Sequence, residues 1–510
     1  MESAAREARE AFDSGVTRSL SWRLRNLRAA ERMLTENHDL LIRTVSEATQ
    51  RPQQEVALGD VWVTLCEIKT MVRSVRRWAA PEEAPTPLPL IPASSRVEKQ
   101  PYGATLIIGP FNYPVMLTLA PLFGAIAAGN TVVLKPSEHT PQVSELLERL
   151  LRSYLDKEAV RVFHGGPETV EALLAQRWDK IIFTGSERVG KIVAAAAARH
   201  LTPLTLELGG KCPVIVDRHA EPLASIAYKL AWGRLFNGGQ SCIAPEYVLV
   251  PREQAEELAA RLVEQLARVA DGDVGRLVHA AAVRRVQPLL VGHGGTVLCG
   301  GNCRPEEKYV APTVILSPRA SSPIMCEELF APVLCVVPVD SLDAAVAYVR
   351  AKPTPLALYI FTSSAATERA LLDRLPSGSA CINDVLLHFG NAHLPFAGLG
   401  SSGYGALHGR EYFDACSHRR GVMAKSSSLA ARLLDMQVWL RAPPYSPLKF
   451  GVLQFVAKRL LTVSLPRHYA RKALVAGAAA ALLYAASSSF PLRAGVRSLL
   501  KAMLDMLGDA

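Results

Sequence analysis

The sequence predicts an α/β protein of more than one domain, built on parallel sheets and carrying an apolar helix near its C-terminus. Three observations support this. Short apolar runs alternate with helical runs from Gly103 to about Ile382. The first of these, an apolar run at 104–108, a helical run at 115–128 and a second apolar run at 131–134, reads as a βαβ unit. Such a unit needs parallel strands with its helix laid across a sheet face. Finally, no residue between Lys472 and Arg493 is charged.

The elements follow in order. Residues 1–50 carry charge throughout and lack the apolar core of a signal peptide. Leu20, Leu24, Leu27, Met33, Leu34, Leu40 and Leu41 recur at helical spacing, and this periodicity continues to about Trp78. Pro81, Pro85, Pro87, Pro89 and Pro92 then mark an extended connector. Beyond the first βαβ unit, 181–183 reads as a strand, Thr184-Gly185-Ser186 as a turn and 187–198 as a helix. Strands are expected at 205–208, 214–216 and 247–250, and a long helix at 252–270. In the tail, 446–465 has apolar residues at helical spacing: Leu448, Val452, Phe455, Val456 and Leu460. Residues 473–492 are apolar or small over about the twenty residues that cross a bilayer. Lys458, Arg459, Arg467, Arg471 and Lys472 crowd the N-terminal side of that segment, which leaves the large body facing the cytosol as a tail-anchored protein.

Composition narrows the function classes. With 510 residues, 49% hydrophobic and 20% charged, the chain can bury large cores and is not a disordered type. Of the formal charge of +10, most belongs to residues 446–510, which hold nine Lys/Arg against two Asp. The body is close to neutral, which argues against nucleic-acid binding and points to an anionic membrane surface near the tail. Nine scattered cysteines make no disulfide framework and suit a reducing compartment. Cys299 and Cys303 lack a second pair at zinc spacing and read as part of a loop of small residues, so no metal is expected.

The chemistry concentrates in five segments. In Asn237-Gly238-Gly239-Gln240-Ser241-Cys242, two glycines allow a tight turn before a thiol. Alone, such a cysteine is more often structural than nucleophilic. In Leu206-Glu207-Leu208-Gly209-Gly210-Lys211, burial at a strand end would raise the Glu207 carboxyl and suit it as a general base. The competing reading is an ion pair with Lys211. In Pro110-Phe111-Asn112-Tyr113-Pro114, the Asn112 amide follows a strand, where it can donate to a developing oxyanion. Lys135 and Glu138 project past the second strand, where they could hold ribose hydroxyls. Gly185 and Ser186 feed a helix N-terminus, with Gly190 one turn on, as a phosphate site requires, although the pattern falls short of a full G-x-G-x-x-G.

In this order and spacing, Asn112, Lys135, Gly185-Ser186, Glu207, Cys242, Glu328-Leu329-Phe330 and Pro395-Phe396 resemble the aldehyde dehydrogenase superfamily over roughly residues 1–440. Gly239 to Pro245, Asn383-Asp384, His388-Phe389, Gly398 to Gly409, Phe413 and Ser417-His418-Arg419 resemble its class-three branch, which includes fatty aldehyde dehydrogenases. The resemblance implies Cys242 as nucleophile and Glu207 as base, with the Asn112 amide and the Cys242 N–H as oxyanion donors. It implies NAD bound through Lys135 and Glu138, through Gly185 and Ser186, and through Glu328 and Phe330. Glu138 would repel a 2′-phosphate, while Lys135 beside it leaves NADP open. Ala331 stands where the family usually has Gly, which puts the contacts of Glu328 and Phe330 in question, and Ala397 is a similar departure.

The implied organisation is a Rossmann-like NAD-binding domain (1–80 and 100–207) and an α/β catalytic domain (208–399). To these it adds a bridging or oligomerisation element (81–99 with 400–440), a basic amphipathic linker (441–472), a transmembrane helix (473–492) and a short tail (493–510). The implied function is NAD(P)-dependent oxidation of medium- or long-chain aliphatic aldehydes to acids, in a membrane-anchored homodimer. Two alternatives are a CoA-acylating dehydrogenase and a non-catalytic, membrane-tethered scaffold of the same fold.

Overall fold

The structure, a computed structural model, describes residues 2–90, 93–425, 440–459 and 464–465. The segment 473–492, expected to cross a membrane, lies outside the described residues. Among those described, no helix is long and apolar enough to do so. The chain forms two compact units, Met1–Trp78 with Pro101–His418, and Ala79–Gln100 with Arg419–Ala510.

Among the described residues the first unit holds two large sheets and two two-stranded ones. In the first sheet the strands lie in the order Gly403–Tyr404, Leu204–Glu207, Lys180–Thr184, Ala104–Ile108, Thr131–Lys135, Val160–Val162. All neighbours are parallel except the edge strand Gly403–Tyr404. The chain winds outward from Ala104–Ile108 in one direction and then returns to build the other half. The order therefore reverses between Ala104–Ile108 and Lys180–Thr184, and open sheets bind ligands at such a reversal. These strands read as unbroken apolar runs because helices cover both faces: Ala104–Ile108 and Thr131–Lys135 are buried at every residue. The helix Met116–Ala128 is likewise buried on all sides. It ends at Gly129, whose φ of 97° is the left-handed cap that glycine supplies.

The second sheet runs Thr296–Cys299, Thr313–Leu316, Val333–Val339, Tyr247–Pro251, Pro213–Val216, Ala357–Phe361, Ser379–Ile382. Only its first strand is antiparallel. Its two faces carry separate apolar cores. Cys299 ends one short strand and Cys303 begins another, with Gly300 and Gly301 turning in the left-handed region between them. Both cysteines thus sit at strand ends, and the loop is only the turn between them. The long helix is Arg252–Leu266, a turn shorter than its apolar pattern suggests.

The second unit contains all but the end residues Pro101, Ser417 and His418 of a three-stranded sheet, Glu82–Ala84, Ala93–Pro101 and Ser417–Lys425, and the helix Pro447–Arg459. The proline-rich stretch is therefore partly strand, not an extended connector throughout. The expected bridging element is divided. Residues 81–99 fall in this unit, while 400–418 belong to the first, where Gly403 pairs with Glu207 and Tyr404 with Leu206.

Candidate active site

The helix Leu223–Leu235 gives way to a turn in which Asn237, Gly238 and Gly239 all have left-handed φ (56°, 59° and 76°). Asn tolerates this conformation when its amide finds backbone partners. Here Asn237 Nδ2 donates to the Asn112 carbonyl at 2.8 Å and to the Gln240 carbonyl at 3.2 Å. Gly239 is required for a second reason: a Cβ there would stand 2.4 Å from the Ala331 carbonyl oxygen. The turn delivers Cys242 into a cavity of about 190 Å³. Leu58, Tyr113, Trp232, Phe236, Phe389 and Phe396 give this cavity a mainly apolar wall, which Glu207 also lines.

Glu207 ends its strand, and its carbonyl accepts from Gly185 N at 3.0 Å. Among the described residues neither of its carboxylate oxygens has a hydrogen-bond partner, although both are buried. Burial pushes its carboxyl well above the usual carboxylate range. The competing reading, an ion pair with Lys211, is overturned: Lys211 Nζ lies 2.9 Å from Glu246 Oε2 and donates to the Glu327 carbonyl at 2.9 Å. Burial also raises the Cys242 thiol well above its ordinary value, with nearby Glu328, Cys212 and Glu207 acting in the same direction. A thiol in these surroundings needs a base to take its proton, and an unpaired carboxylate on the same cavity can do so. Asn112 is buried, and its Nδ2 donates to the Gln240 carbonyl at 3.1 Å, two residues before Cys242. Its Oδ1 has no partner among the described residues.

The expected cofactor residues gather around the C-terminal ends of the first sheet's strands. Lys135, buried at the end of its strand, is ion-paired with Glu138. Ser186 caps the helix Glu187–Ala198, its side chain accepting from Val189 N. Gly190 lets that helix approach the sheet, since a Cβ there would meet the Leu208 side chain at 2.7 Å. Glu328 Oε1 accepts from Gly210 N at 3.1 Å, and burial with Glu246 nearby raises its carboxyl to about 7. Phe330 has a left-handed φ of 52° and stacks edge-on against Phe111 at 6.2 Å. Phe111 in turn meets His139, the neighbour of Glu138, at 5.8 Å. A capped helix N-terminus at the sheet reversal, with ion-pairing and aromatic groups on either side, fits a dinucleotide. The methyl of Ala331 is absorbed, for the residue is fully buried and its carbonyl accepts from Arg234 Nε at 2.8 Å. No group of His, Cys, Asp or Glu is placed to hold a metal among the described residues.

Two functional neighbours escaped the sequence reading. Glu246 is buried between two cations, Lys211 and Arg234, the latter with Nη1 at 2.7 Å from Glu246 Oε1. Glu246 Oε2 also accepts from Leu329 N at 3.1 Å, and Arg234 donates to the Pro245 carbonyl at 2.9 Å. The triad thus ties the thiol loop to the loop bearing Glu328 and Phe330. Burial would raise the Glu246 carboxyl, but Arg234 and Lys211 outweigh it and hold it down at about 2. The available signals were an arginine inside an apolar helix and an acid directly before an apolar strand.

The chain matches the model of the aldehyde dehydrogenase family over residues 1–422. It is 40% identical to human "Aldehyde dehydrogenase family 3 member B1" over 88% of this chain and 95% of that one. It is 39% identical to "Aldehyde dehydrogenase family 3 comG" of Dictyostelium discoideum, again over 88% and 95%. Among solved structures, the substrate-bound state of Staphylococcus aureus AldH superposes with a TM-score of 0.83 at 34% identity, covering 88% of this chain and 97% of that one. A Mycobacterium tuberculosis aldehyde dehydrogenase complexed with NAD+ gives 0.77 at 26% identity, covering 83% and 90%.

The triad makes a quantitative expectation. Glu246→Ala leaves Lys211 and Arg234 buried without their anion and should lower unfolding free energy by about 3–5 kcal/mol in urea titrations. A loss below about 1 kcal/mol would contradict it. Because the folded pKa of Glu246 is depressed to about 2 from 4.5, its contribution is complete above the unfolded value. It is lost as pH falls through that interval toward the folded value.

Proposed function

The chain belongs to the aldehyde dehydrogenase family and is an NAD(P)-dependent enzyme; we propose that it oxidises medium- and long-chain aliphatic aldehydes to carboxylic acids through a thioester on Cys242. The single observation that carries this reading is the placement of Cys242 and an unpartnered, buried Glu207 on one apolar cavity.

The proposed chemistry uses the chain's own residues as follows. Glu207, whose proton affinity burial raises, takes the thiol proton. The thiolate adds to the aldehyde carbon, and the negative charge that develops on oxygen is met by the Asn112 amide and the Cys242 N–H. When bound, the nicotinamide supplies the acceptor for the hydride that leaves that carbon. The carbon is left as a thioester on Cys242. Glu207 releases the thiol's proton to solvent, then draws a proton from water as the water oxygen attacks the thioester carbon; the carbon–sulfur bond breaks, the thiolate recovers a proton from Glu207, and the acid is released. A base free of any ion pair favours water over CoA as the group that resolves the thioester. Lys135 and Glu138, Gly185 and Ser186, and Glu328 and Phe330 would hold the cofactor.

The apolar wall of the cavity supports an apolar substrate such as an aliphatic aldehyde. Each methylene moved from water onto such a surface is worth about 0.8 kcal/mol, so longer chains should bind more tightly until the cavity is filled. Attachment to a membrane rests on the apolar segment 473–492 and its flanking basic residues. The helix Pro447–Arg459 exposes Leu448, Phe450, Leu453 and Phe455, but they are spread around it and form no single apolar face. A membrane-held enzyme would meet lipid-derived aldehydes where they partition. The homodimer remains a proposal by family resemblance.

With saturated aldehydes of increasing length and NAD, kcat/KM should rise with chain length and Cys242→Ala should abolish formation of reduced nicotinamide. Failure to reduce the nicotinamide with every chain length would end the substrate proposal. Truncation after Pro444 should move the protein from the membrane to the soluble fraction with activity retained. A full-length protein that stays soluble without detergent would contradict the anchor.

A further inference from the structure

A buried ion pair that the chemistry above does not use lies against the Asn112 loop. The side chains of Arg51 and Asp60 are both fully buried, with Arg51 Nη2 at 3.2 Å from Asp60 Oδ2. The two ends of this pair grip two ends of one loop. Arg51 Nη1 donates to the Asn112 carbonyl at 3.2 Å. Asp60 Oδ1 accepts from Met116 N, the first residue of the helix Met116–Ala128, at 2.6 Å. Between them the Tyr113 ring lies under the guanidinium, 5.4 Å from it. Asp60 sits in a π-helical turn, Ala57–Val61, a wide turn that often marks functional positions. In the same turn Gly59 lets the backbone reach the site, because a Cβ there would meet the Phe236 ring at 2.7 Å. The same stretch of chain touches the thiol loop, where Asn237 N donates to Glu55 Oε2 at 2.9 Å.

We infer that the Arg51–Asp60 pair is a positioning device for the Asn112 amide, setting its distance from the Cys242 N–H where negative charge develops. The inference rests on the reading of Asn112 as an oxyanion donor. The geometry favours it over a purely structural role. A guanidinium fork can bond a carboxylate and a carbonyl at once, which a point charge cannot do equally well. Here the carbonyl it reaches belongs to the catalytic candidate itself. The Asn112 carbonyl accepts from Arg51 and Asn237, and its amide donates to Gln240, so the residue is held from both neighbouring segments. Its amide has a second hydrogen beyond the one given to Gln240. Small displacements of such a donor lower rates steeply.

The test separates reactions that need an oxyanion from one that does not. In the full-length protein without cofactor, p-nitrophenyl acetate acylates Cys242: a sulfur–carbon bond forms, the ester carbon–oxygen bond breaks, and p-nitrophenolate leaves. That step passes through an oxyanion. Alkylation of the same thiol by iodoacetamide displaces iodide and does not. Arg51→Met should slow acylation about ten-fold or more and leave alkylation within about two-fold. Arg51→Lys keeps a charge against Asp60, so it protects folding, and should fall between the two. In an Asn112→Ala background, Arg51→Met or Arg51→Lys should slow acylation by less than about two-fold, since the donor it positions is gone. Equal slowing of both reactions, or effects that multiply in the double variants, would overturn the inference. Normal acylation by Asn112→Ala alone would instead overturn the oxyanion reading on which it rests.

Discussion

One buried carboxylate fixes where the reactive groups stand. Glu246 holds Lys211 and Arg234 in a buried cluster, and each partner also donates to backbone carbonyls. Lys211 follows the Glu207 strand, Arg234 ends the helix before the thiol turn, and the bonds of both reach residues 327–331. Three separate segments are thereby held in register by one anion. Such a cluster stabilises little on balance, because removing the charges from water costs several kcal/mol per ion. Its value lies in specificity, since any rearrangement would leave an uncompensated buried charge. The close fit of Gly239 against Ala331 adds a steric constraint to the same junction.

With that frame rigid, the cavity can afford a carboxylate that is not paired. Glu207 sits among apolar groups with no hydrogen-bond partner among the described residues, a costly arrangement for a charged group. Burial raises the affinity of the Glu207 carboxylate for a proton, so its ionised form is a stronger base than a solvated carboxylate. The same burial holds the proton on Cys242, which makes removal by such a base the route to the thiolate. The cation nearest in sequence, Lys211, is withheld from Glu207 by its bond to Glu246. Neutralising Glu207 with that lysine would lower its basicity, so the triad and the reactive pair are two parts of one arrangement.

The sheets were legible because buried parallel strands leave continuous apolar runs. Residues 104–108 and 131–134 anticipated Ala104–Ile108 and Thr131–Lys135 almost to the residue. The helix 187–198 was legible because Ser186 caps it and Gly185 precedes it. Lys135 and Glu138, read from the sequence as ribose ligands, are also paired with each other. Sequence proximity misleads where charges pair across the fold. Glu207 and Lys211 suggested an ion pair by proximity, yet Lys211 finds its anion 35 residues away. Arg51 meets its carboxylate nine residues on, but the group it holds, Asn112, is 61 residues distant. Pairing of Gly403–Tyr404 with the strand Leu204–Glu207 draws 400–418 into the first unit, while 419–425 goes with 81–99; the first is a tertiary contact with no local signature.

The central claim is that carbon is held on Cys242 as a thioester until Glu207 activates water. Intact-mass spectrometry of Glu207→Gln after mixing with NAD and an aliphatic aldehyde tests it most directly. The expected result, reached slowly because the thiol has also lost its base, is a trapped species on Cys242, heavier than the protein by the aldehyde less one hydrogen molecule, with one equivalent of reduced nicotinamide formed. A variant that turns over at the normal rate with no such adduct, or an adduct on any other residue, would contradict the claim.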